Sequence, residues 1–145
     1  MKIVLMNENH INDLAGIEKI CFHTPWTYAQ LKEELENEYS LFLVAEVDGK
    51  AVGYVGCQTS IDGGYITNVA VHPDMRCKGI AQSLLNELKS RILQKNLEFI
   101  TLEVRESNFP AISLYEKMNY VKVGKRKNFY TNPAENAIIM TYYID

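Results

Sequence analysis

The sequence of 145 residues contains little cysteine and no excess of positive charge. Its three cysteines, Cys21, Cys57 and Cys77, are widely spaced and form no C-x-x-C pair, which argues against a disulfide framework or a zinc site. We therefore expect reduced thiols in a cytoplasmic protein, and no bound metal. The 15 basic and 18 acidic residues give a net charge of -3, so the composition does not favour nucleic acid as a partner.

Long apolar segments are also missing. The N-terminal apolar run covers only residues 3–6, whereas a membrane span needs about 20 apolar residues, so we expect neither a membrane anchor nor a signal peptide. Hydrophobic residues nevertheless make up 47% of the chain, which is enough for a substantial core. Because no repeat, linker or low-complexity tract interrupts the sequence, we predict a single domain over residues 1–145.

Hydrophobic periodicity predicts an alternation of strands and helices. The capping-box run 27–30 begins one helix, Asn12 or Asp13 begins an earlier one, Asp48-Gly49 is typical of a hairpin turn, and residues 62–64 form another turn. The predicted strands cover residues 3–6, 41–47, 51–59, 65–71, 99–104, 121–127 and 137–143, and the two later helices cover residues 79–95 and 110–118. Apolar residues predicted to face the core from helices include Ile20, Leu35 and Leu93.

This order of elements predicts an α/β protein with a mixed sheet and helices on both faces, because helices occur both between strands and between hairpins. It argues against a doubly wound dinucleotide-binding domain. The G-x-G-x-x-G fingerprint and the G-x-x-x-x-G-K-[ST] phosphate loop are both absent from the sequence.

The loop before the long helix is the clearest candidate for a binding site. Residues 76–81, R-C-K-G-I-A, lie between a predicted strand and a predicted helix start, where free backbone N–H groups and the helix dipole favour an anion. Gly79 and Ala81 are small enough for close approach of a diphosphate, and Arg76 and Lys78 add positive charge. A tight turn that merely needs glycine would have the same residues, so the loop alone leaves both interpretations open.

These segments resemble the N-acetyltransferases of the GNAT superfamily along essentially the whole chain. The loop fits the pattern R/Q-x-x-G-x-G/A, and the most specific segment is L-E-V-R-x-S-N-x-x-A-I-x-L-Y-E at residues 102–116. Within the superfamily the chain is similar to the RimI-like ribosomal-protein-alanine N-acetyltransferases. The resemblance implies a mostly antiparallel sheet in which one parallel pair of strands is splayed apart.

The resemblance also implies acetyl-CoA as cosubstrate. Main-chain groups of the splayed strand would bind the pantetheine arm, the loop would hold the pyrophosphate, and Asn108 would bind the cosubstrate from across the cleft. Asn108 is equally well placed to cap the following helix. The residues implied in cosubstrate binding are Val69, Ala70, Val71, Arg76, Cys77, Lys78, Gly79, Ile80, Ala81, Gln82 and Asn108.

Two residues carry the chemistry that the resemblance implies. Glu103 would act as general base on the acceptor amine through water, and Tyr115 would protonate the departing thiolate. From the residues alone, Glu103 could equally be a strand residue paired with Arg105, and Tyr115 a core aromatic. The amine would attack the thioester directly, and Cys77 would form no acyl-enzyme because it lies in the predicted pyrophosphate loop.

The acceptor is expected to be a protein N-terminus, such as that of an alanine-initiated ribosomal protein. An α-amine has a pKa of about 8 and a lysine amine about 10.4, so one glutamate is better matched to the first. Trp26 and Tyr130 lie in loops where the family admits a peptide, although both could simply be packing residues. Acetylation of a small amine and a non-catalytic acetyl-CoA-binding module remain alternatives, and a run of glutamates at residues 33–38 is either a solvated face or an attraction for basic peptides.

Overall fold

The computed structural model describes residues 1–144, which form one seven-stranded sheet flanked by four α-helices. Two short 3-10 turns precede the first and third helices. The elements are β1 (Lys2–Leu5), α1 (Ile11–Cys21), α2 (Tyr28–Glu34), β2 (Ser40–Val47), β3 (Lys50–Thr59), β4 (Gly63–Val71), α3 (Ile80–Gln94), β5 (Phe99–Arg105), α4 (Phe109–Lys117), β6 (Val121–Tyr130) and β7 (Glu135–Tyr143).

The sheet is mixed, as the sequence predicts. Its strand order is β1-β2-β3-β4-β5-β7-β6, and every pair is antiparallel except the central pair of β4 with β5. The β2–β3 hairpin turns at Asp48 and Gly49, which both have positive φ, as a primed two-residue turn requires. The sheet therefore consists of an N-terminal antiparallel part, β1 to β4, and a C-terminal antiparallel part, β5 to β7, which are joined by one parallel pair of strands.

Helices cover both faces of the sheet and enclose two hydrophobic cores. Alternate residues of β2 show the division, because Leu41 and Leu43 pack with α3 and α4, whereas Phe42 and Val44 pack with α1 and α2. The larger core is on the α3 side, where five apolar residues of that helix are buried: Ile80, Leu84, Leu85, Leu88 and Ile92. A sheet buried on both faces explains why its central strands are apolar at nearly every position.

Local signals place some helix boundaries correctly and others not. The capping box at Thr27 and Gln30 is confirmed, since each side chain bonds to the other's backbone N–H. The prediction that Asn12 or Asp13 caps α1 is wrong, because a preceding 3-10 turn capped by Asn7 leads directly into a helix that starts at Ile11.

Three helical residues predicted to face the core are instead exposed: Ile20, Leu35 and Leu93. All three lie at the C-terminal end of their helices. Leu93, for example, is rotated about 100° around the helix axis from the buried Ile92 and so lies outside the buried face. The turn predicted at residues 62–64 is also shorter than expected. Gly63 and Gly64 already belong to β4, and a Cβ on Gly63 would come within 2.4 Å of the Phe99 ring on the paired strand.

No helix within residues 1–144 is both long and apolar enough to cross a membrane.

Candidate active site

A cleft opens where the two parallel strands separate. Strands β4 and β5 pair only from Gly63–Phe99 to Tyr65–Thr101, and beyond these residues the ladder ends although both strands continue. The resulting cavity has a volume of about 590 Å³. Its lining includes six residues predicted from the sequence: Trp26, Val69, Glu103, Asn108, Tyr115 and Tyr130.

A bulge shapes the β4 wall of this cleft. The register with β3 shifts between Gly56 and Cys57, which leaves Thr67 of β4 without a partner in the ladder. A Cβ on Gly56 would lie 2.6 Å from the Phe42 ring and 2.8 Å from Thr67 Oγ1, so glycine is needed opposite the bulge. The bulge coincides with the point where β4 leaves β5 and frees its main-chain groups on that edge.

The loop before α3 has the geometry of an anion site. Cys77 and Gly79 both have positive φ, 62° and 77°, and alternating backbone conformations of this kind turn successive N–H groups towards one point. Gly79 is the N-cap of α3 and no side chain caps the helix, so the N–H groups of Ile80, Ala81 and Gln82 lack intrahelical acceptors. A Cβ on Gly79 would meet open space, and the surface above the loop is therefore clear.

Arg76 does not lie over this loop. Its Nε donates to the Val71 carbonyl at 3.1 Å, and its Nη2 contacts Cys21 Sγ at 3.2 Å. The guanidinium therefore ties the end of β4 to α1. Of the two predicted positive charges, only Lys78 extends from the exposed part of the loop without such a contact.

Asn108 both caps α4 and faces the cleft, so the two interpretations that the sequence left open are compatible. Its Oδ1 accepts a hydrogen bond from the Ala111 N–H at 3.3 Å and caps α4, with Pro110 in the first turn. The same residue lines the cleft. The cap therefore fixes where α4 begins relative to β5, and with it the position of Tyr115 on that helix.

Glu103 is the carboxylate at the centre of the cleft. Its side chain is only 7% exposed; it accepts a hydrogen bond from the Tyr65 hydroxyl and forms an ion pair with Arg126, whose Nε lies 3.1 Å from a carboxylate oxygen. The expected alternative partner, Arg105, instead binds Glu135 and is not the partner of Glu103. The sequence misses Tyr65 and Arg126 because they reach Glu103 from different strands, β4 and β6.

Tyr115 is buried on α4 and reaches the cleft from the α3 side. Burial, with a smaller contribution from nearby Tyr130, raises the pKa of its hydroxyl above the usual value for tyrosine. The hydroxyl therefore keeps its proton near neutral pH and can act as a donor. It is, however, a weaker acid than the unperturbed phenol assumed from the sequence.

Two aromatic residues stand at the sides of the opening. Trp26 lies between α1 and α2, and its ring packs against Phe42 with centroids 5.9 Å apart. Tyr130 is the last residue of β6 rather than a loop residue, and the Arg105 guanidinium lies over its ring at 4.4 Å. Both therefore pack and line the cleft at once, so the two interpretations are compatible.

Sequence reasoning misses a second carboxylate in this cleft. Glu18 of α1 is 1% exposed, accepts the Trp26 backbone N–H at 2.8 Å and the Tyr54 hydroxyl at 2.9 Å, and has its pKa raised by burial. The sequence did contain a signal that Glu18 is buried, because it lies one helical turn after Leu14 on the buried face of α1. Among residues 1–144, no cluster of three or more candidate metal ligands comes together.

Known proteins share this architecture. A sequence profile described as the acetyltransferase (GNAT) family matches residues 11–120. The chain belongs to the GNAT family. A Bacillus subtilis (strain 168) protein with the provisional name [ribosomal protein bS18]-alanine N-acetyltransferase is 38% identical over 136 residues, which cover 93% of this chain and 90% of the relative. A Haemophilus influenzae protein named [ribosomal protein bS18]-alanine N-acetyltransferase is 34% identical, with 90% of each chain covered.

A solved structure agrees with the sequence relatives. The crystal structure of the ribosomal-protein-S18-alanine N-acetyltransferase from Escherichia coli has a TM-score of 0.91 and 28% identity, and the match covers 99% of this chain and 94% of that chain. The GNAT fold and the resemblance stated from the sequence are therefore confirmed. As a GNAT enzyme, the chain is an N-acetyltransferase of a family that uses acetyl-CoA.

Proposed function

We propose that this GNAT enzyme transfers the acetyl group of acetyl-CoA to the N-terminal α-amine of a protein, an alanine-initiated protein of the small ribosomal subunit being the expected acceptor. The observation that carries the proposal is the split between β4 and β5, which opens one cleft lined by Glu103, Tyr115, Trp26 and Tyr130. The names of the two bacterial relatives support the acceptor class.

The cosubstrate would be held mainly by main-chain atoms. Residues 69–71 would offer main-chain groups on the edge of β4 that does not pair with β5, except for the Val71 carbonyl, which already accepts from Arg76. The uncapped start of α3 would offer N–H groups to the pyrophosphate, and Asn108 lines the other side. These features fit a long diphosphate-bearing thioester, because a groove of backbone donors leads to an anion site. Acetyl-CoA supplies the activated acetyl group there.

Glu103 would take the proton that the acceptor amine releases. The carboxylate is almost fully buried and is held by a hydrogen bond from Tyr65 and an ion pair with Arg126, so it is oriented before the amine arrives. The amine attacks the thioester carbonyl, the C–N bond forms and the C–S bond breaks, and backbone N–H groups of β4 stabilise the oxyanion. These chemical steps need no covalent enzyme intermediate, which agrees with the position of Cys77 outside the cleft lining.

Tyr115 would donate to the departing sulfur. Because burial makes its hydroxyl a weaker acid than a thiol, complete transfer of its proton is uphill and is finished only when solvent restores that proton. We therefore assign it stabilisation of the leaving thiolate as its main contribution. The role of Glu103 does not depend on this assignment.

One assay tests the function. The enzyme is incubated with acetyl-CoA and one of three acceptors, and thiol release is followed. The first acceptor is an Ala-initiated peptide, the second is the same peptide with a blocked N-terminus and an internal lysine, and the third is a polyamine. We expect turnover only with the free α-amine, and mass spectrometry should place the acetyl group on it. Turnover with the polyamine alone would reject a protein acceptor, and acetyl-CoA binding without turnover on any amine would indicate a binding module.

A further inference from the structure

The loop between α1 and α2 forms one side of the cleft. It has no regular secondary structure, because α1 ends at Cys21 and α2 begins only at Tyr28. Four of its residues line the cavity: Phe22, His23, Thr24 and Trp26. A segment outside helices and strands is held by the few contacts that its own residues make, so those contacts decide the shape of this side of the cleft.

Both ends of this loop, residues 22–26, are held by one residue. The backbone carbonyl of Glu18 accepts a hydrogen bond from the Phe22 N–H at 3.0 Å, at the end of α1. The side-chain Oε1 of Glu18 accepts a second hydrogen bond from the Trp26 N–H at 2.8 Å. Within residues 1–144, these are the two hydrogen bonds that the backbone of residues 22–26 makes, so both anchors of the loop are on Glu18.

Glu18 is itself fixed from the protein core. Its Oε2 accepts a hydrogen bond from the Tyr54 hydroxyl at 2.9 Å, and none of the ion pairs within residues 1–144 includes it. Burial of a carboxylate is costly unless its oxygens are hydrogen-bonded, and here each oxygen has one donor. Tyr54 is fully buried and does not line the cleft, whereas Trp26 does. The carboxylate therefore links a residue of the core to a residue of the cleft.

Trp26 is the residue through which this link reaches the cavity. Its ring packs against Phe42 of β2, with centroids 5.9 Å apart, and lines the cleft. The hydrogen bond to Glu18 fixes the Trp26 backbone, and the contact with Phe42 fixes the ring. Without the hydrogen bond, the ring contact alone would hold this end of the loop, which would then populate other positions.

We propose that Glu18 is a positioning residue for acceptor binding, which holds the 22–26 loop in the conformation that receives the acceptor peptide. This inference rests on the proposed function. Glu18 packs on the α1 side of the sheet, whereas the loop that would hold the pyrophosphate leads into α3 on the other side. Loss of the anchor should therefore weaken acceptor binding and leave cosubstrate binding intact.

Glu18→Leu removes the anchor. Leucine favours a helix as well as glutamate does and suits a buried position, but it cannot accept the Trp26 N–H. A hydrogen bond to a charged group shifts such an equilibrium roughly 10- to 100-fold, and acceptor affinity falls with the ordered fraction of the loop. Because the ring contact remains, we expect KM for an Ala-initiated peptide to rise roughly tenfold, while kcat and the dissociation constant of acetyl-CoA change less than about threefold.

Two further variants separate the anchor from general damage. In Glu18→Gln the side-chain oxygen can still accept the Trp26 N–H, so KM should stay within about threefold of the wild type. Tyr54→Phe removes the other hydrogen bond to the same carboxylate, so it should lower the melting temperature and leave KM nearly unchanged. If Glu18→Leu does not fold, Glu18→Met replaces it, because methionine adapts to irregular buried space and offers only a weak acceptor.

Trp26 provides a readout that does not depend on activity. It is the single tryptophan of the chain, so intrinsic fluorescence reports on this loop directly. We expect acrylamide to quench the emission of Glu18→Leu more strongly than that of the wild type, Glu18→Gln or Tyr54→Phe. A raised KM with unchanged quenching would reject the proposal, because Glu18 would then contact the acceptor itself.

Three other results would also overturn it: a wild-type KM in Glu18→Leu, an equal rise of KM in Tyr54→Phe, or an equal loss of acetyl-CoA affinity in Glu18→Leu. The wild type separates this inference from the function on which it rests. If the wild-type enzyme acetylates no α-amine, the proposed function fails, and the quenching comparison alone decides whether Glu18 holds the loop.

Discussion

The two walls of the cleft offer different kinds of atoms to a ligand. The β4 wall, continued by the loop before α3, offers mainly backbone atoms: a strand edge freed at Tyr65 and the uncapped N–H groups after Gly79. The β5 wall offers side chains, with Glu103 and Arg105 from β5 and Tyr115 from the adjacent α4. A backbone wall can hold a cosubstrate of invariant shape, and a wall of side chains can be adjusted to each acceptor.

The difference also divides the expected effects of mutations. On the side-chain wall, one substitution removes one charged or acidic group, so the chemical rate should fall while the cosubstrate still binds. On the backbone wall, which is the β4 wall with the loop before α3, binding would rest on main-chain atoms that a substitution does not remove. Only a change of backbone conformation should therefore weaken cosubstrate binding there.

The largest effect is expected for Glu103→Gln. The amide keeps the volume and the contact with Tyr65 but cannot accept the amine's proton, so kcat should fall roughly 10²- to 10⁴-fold. Steady-state kinetics and calorimetric titration with acetyl-CoA measure the two quantities separately. An unchanged kcat would remove Glu103 from the mechanism, and a comparable loss of acetyl-CoA affinity would remove the distinction between the walls.

Tyr115→Phe should have the next largest effect. In the proposed mechanism the lost hydroxyl stabilises the leaving thiolate, and since its raised pKa makes it a weak acid, we expect a decrease in kcat of about 10²-fold, at the lower end of such effects. Tyr120→Phe is the control, because Tyr120 is equally buried and its ring lies 5.7 Å from that of Tyr115, yet it does not line the cleft. Equal losses in both variants would indicate a packing effect.

The side-chain wall was only partly predictable from the sequence. Glu103, Asn108 and Tyr115 lie in one continuous motif, so the resemblance identified them together. Tyr65 and Arg126 come from β4 and β6, and their contacts with Glu103 depend on a strand order that hydrophobic periodicity does not encode. Pairing Glu103 with its neighbour Arg105 was a reasonable sequence-based expectation, but Glu135 is closer to Arg105 in the folded sheet.

The fold was more predictable where local signals decide it. The long helix α3, the hairpin at Asp48-Gly49 and the capping box of α2 at Thr27 all follow from residues close together in the chain. The start of α1 did not, because Asn7 and His10 form a capping box of their own. In that box His10 is buried against Glu46 of β2, a contact far away in sequence.

Gly79→Val tests the backbone wall and should have a smaller effect. Space is not limiting, since a Cβ there meets nothing within 4 Å, but a φ of 77° is strained for any residue with a Cβ and most of all for a β-branched one. We expect about tenfold weaker acetyl-CoA binding by calorimetry, with kcat at saturating cosubstrate nearly unchanged. Gly16→Ala is the control at an equally open glycine within α1, where alanine should slightly stabilise the fold and leave binding intact.

The smallest effect is expected at Arg105, which links the side-chain wall to the loop after Tyr130. Its guanidinium donates to the carbonyls of Thr131 and Pro133 and pairs with Glu135 at 3.2 Å. Hydrogen bonds from Ser107, with a smaller contribution from Arg105, lower the pKa of Glu135, so this partly buried carboxylate stays charged under assay conditions. The loop is therefore held by several donors from one planar group.

Arg105→Lys keeps the charge but cannot donate in these several directions at once. The loop and the Tyr130 ring beneath the guanidinium should become less ordered, so we expect the acceptor KM to rise two- to fivefold, about 0.4–1 kcal/mol, with acetyl-CoA affinity unchanged. Arg91→Lys is the control, because it alters a comparable arginine–carboxylate pair on α3 and should leave both constants alone. If Arg105→Lys instead weakened acetyl-CoA binding, the two walls would not act separately, since a loop on the side-chain wall would then contribute to the cosubstrate site.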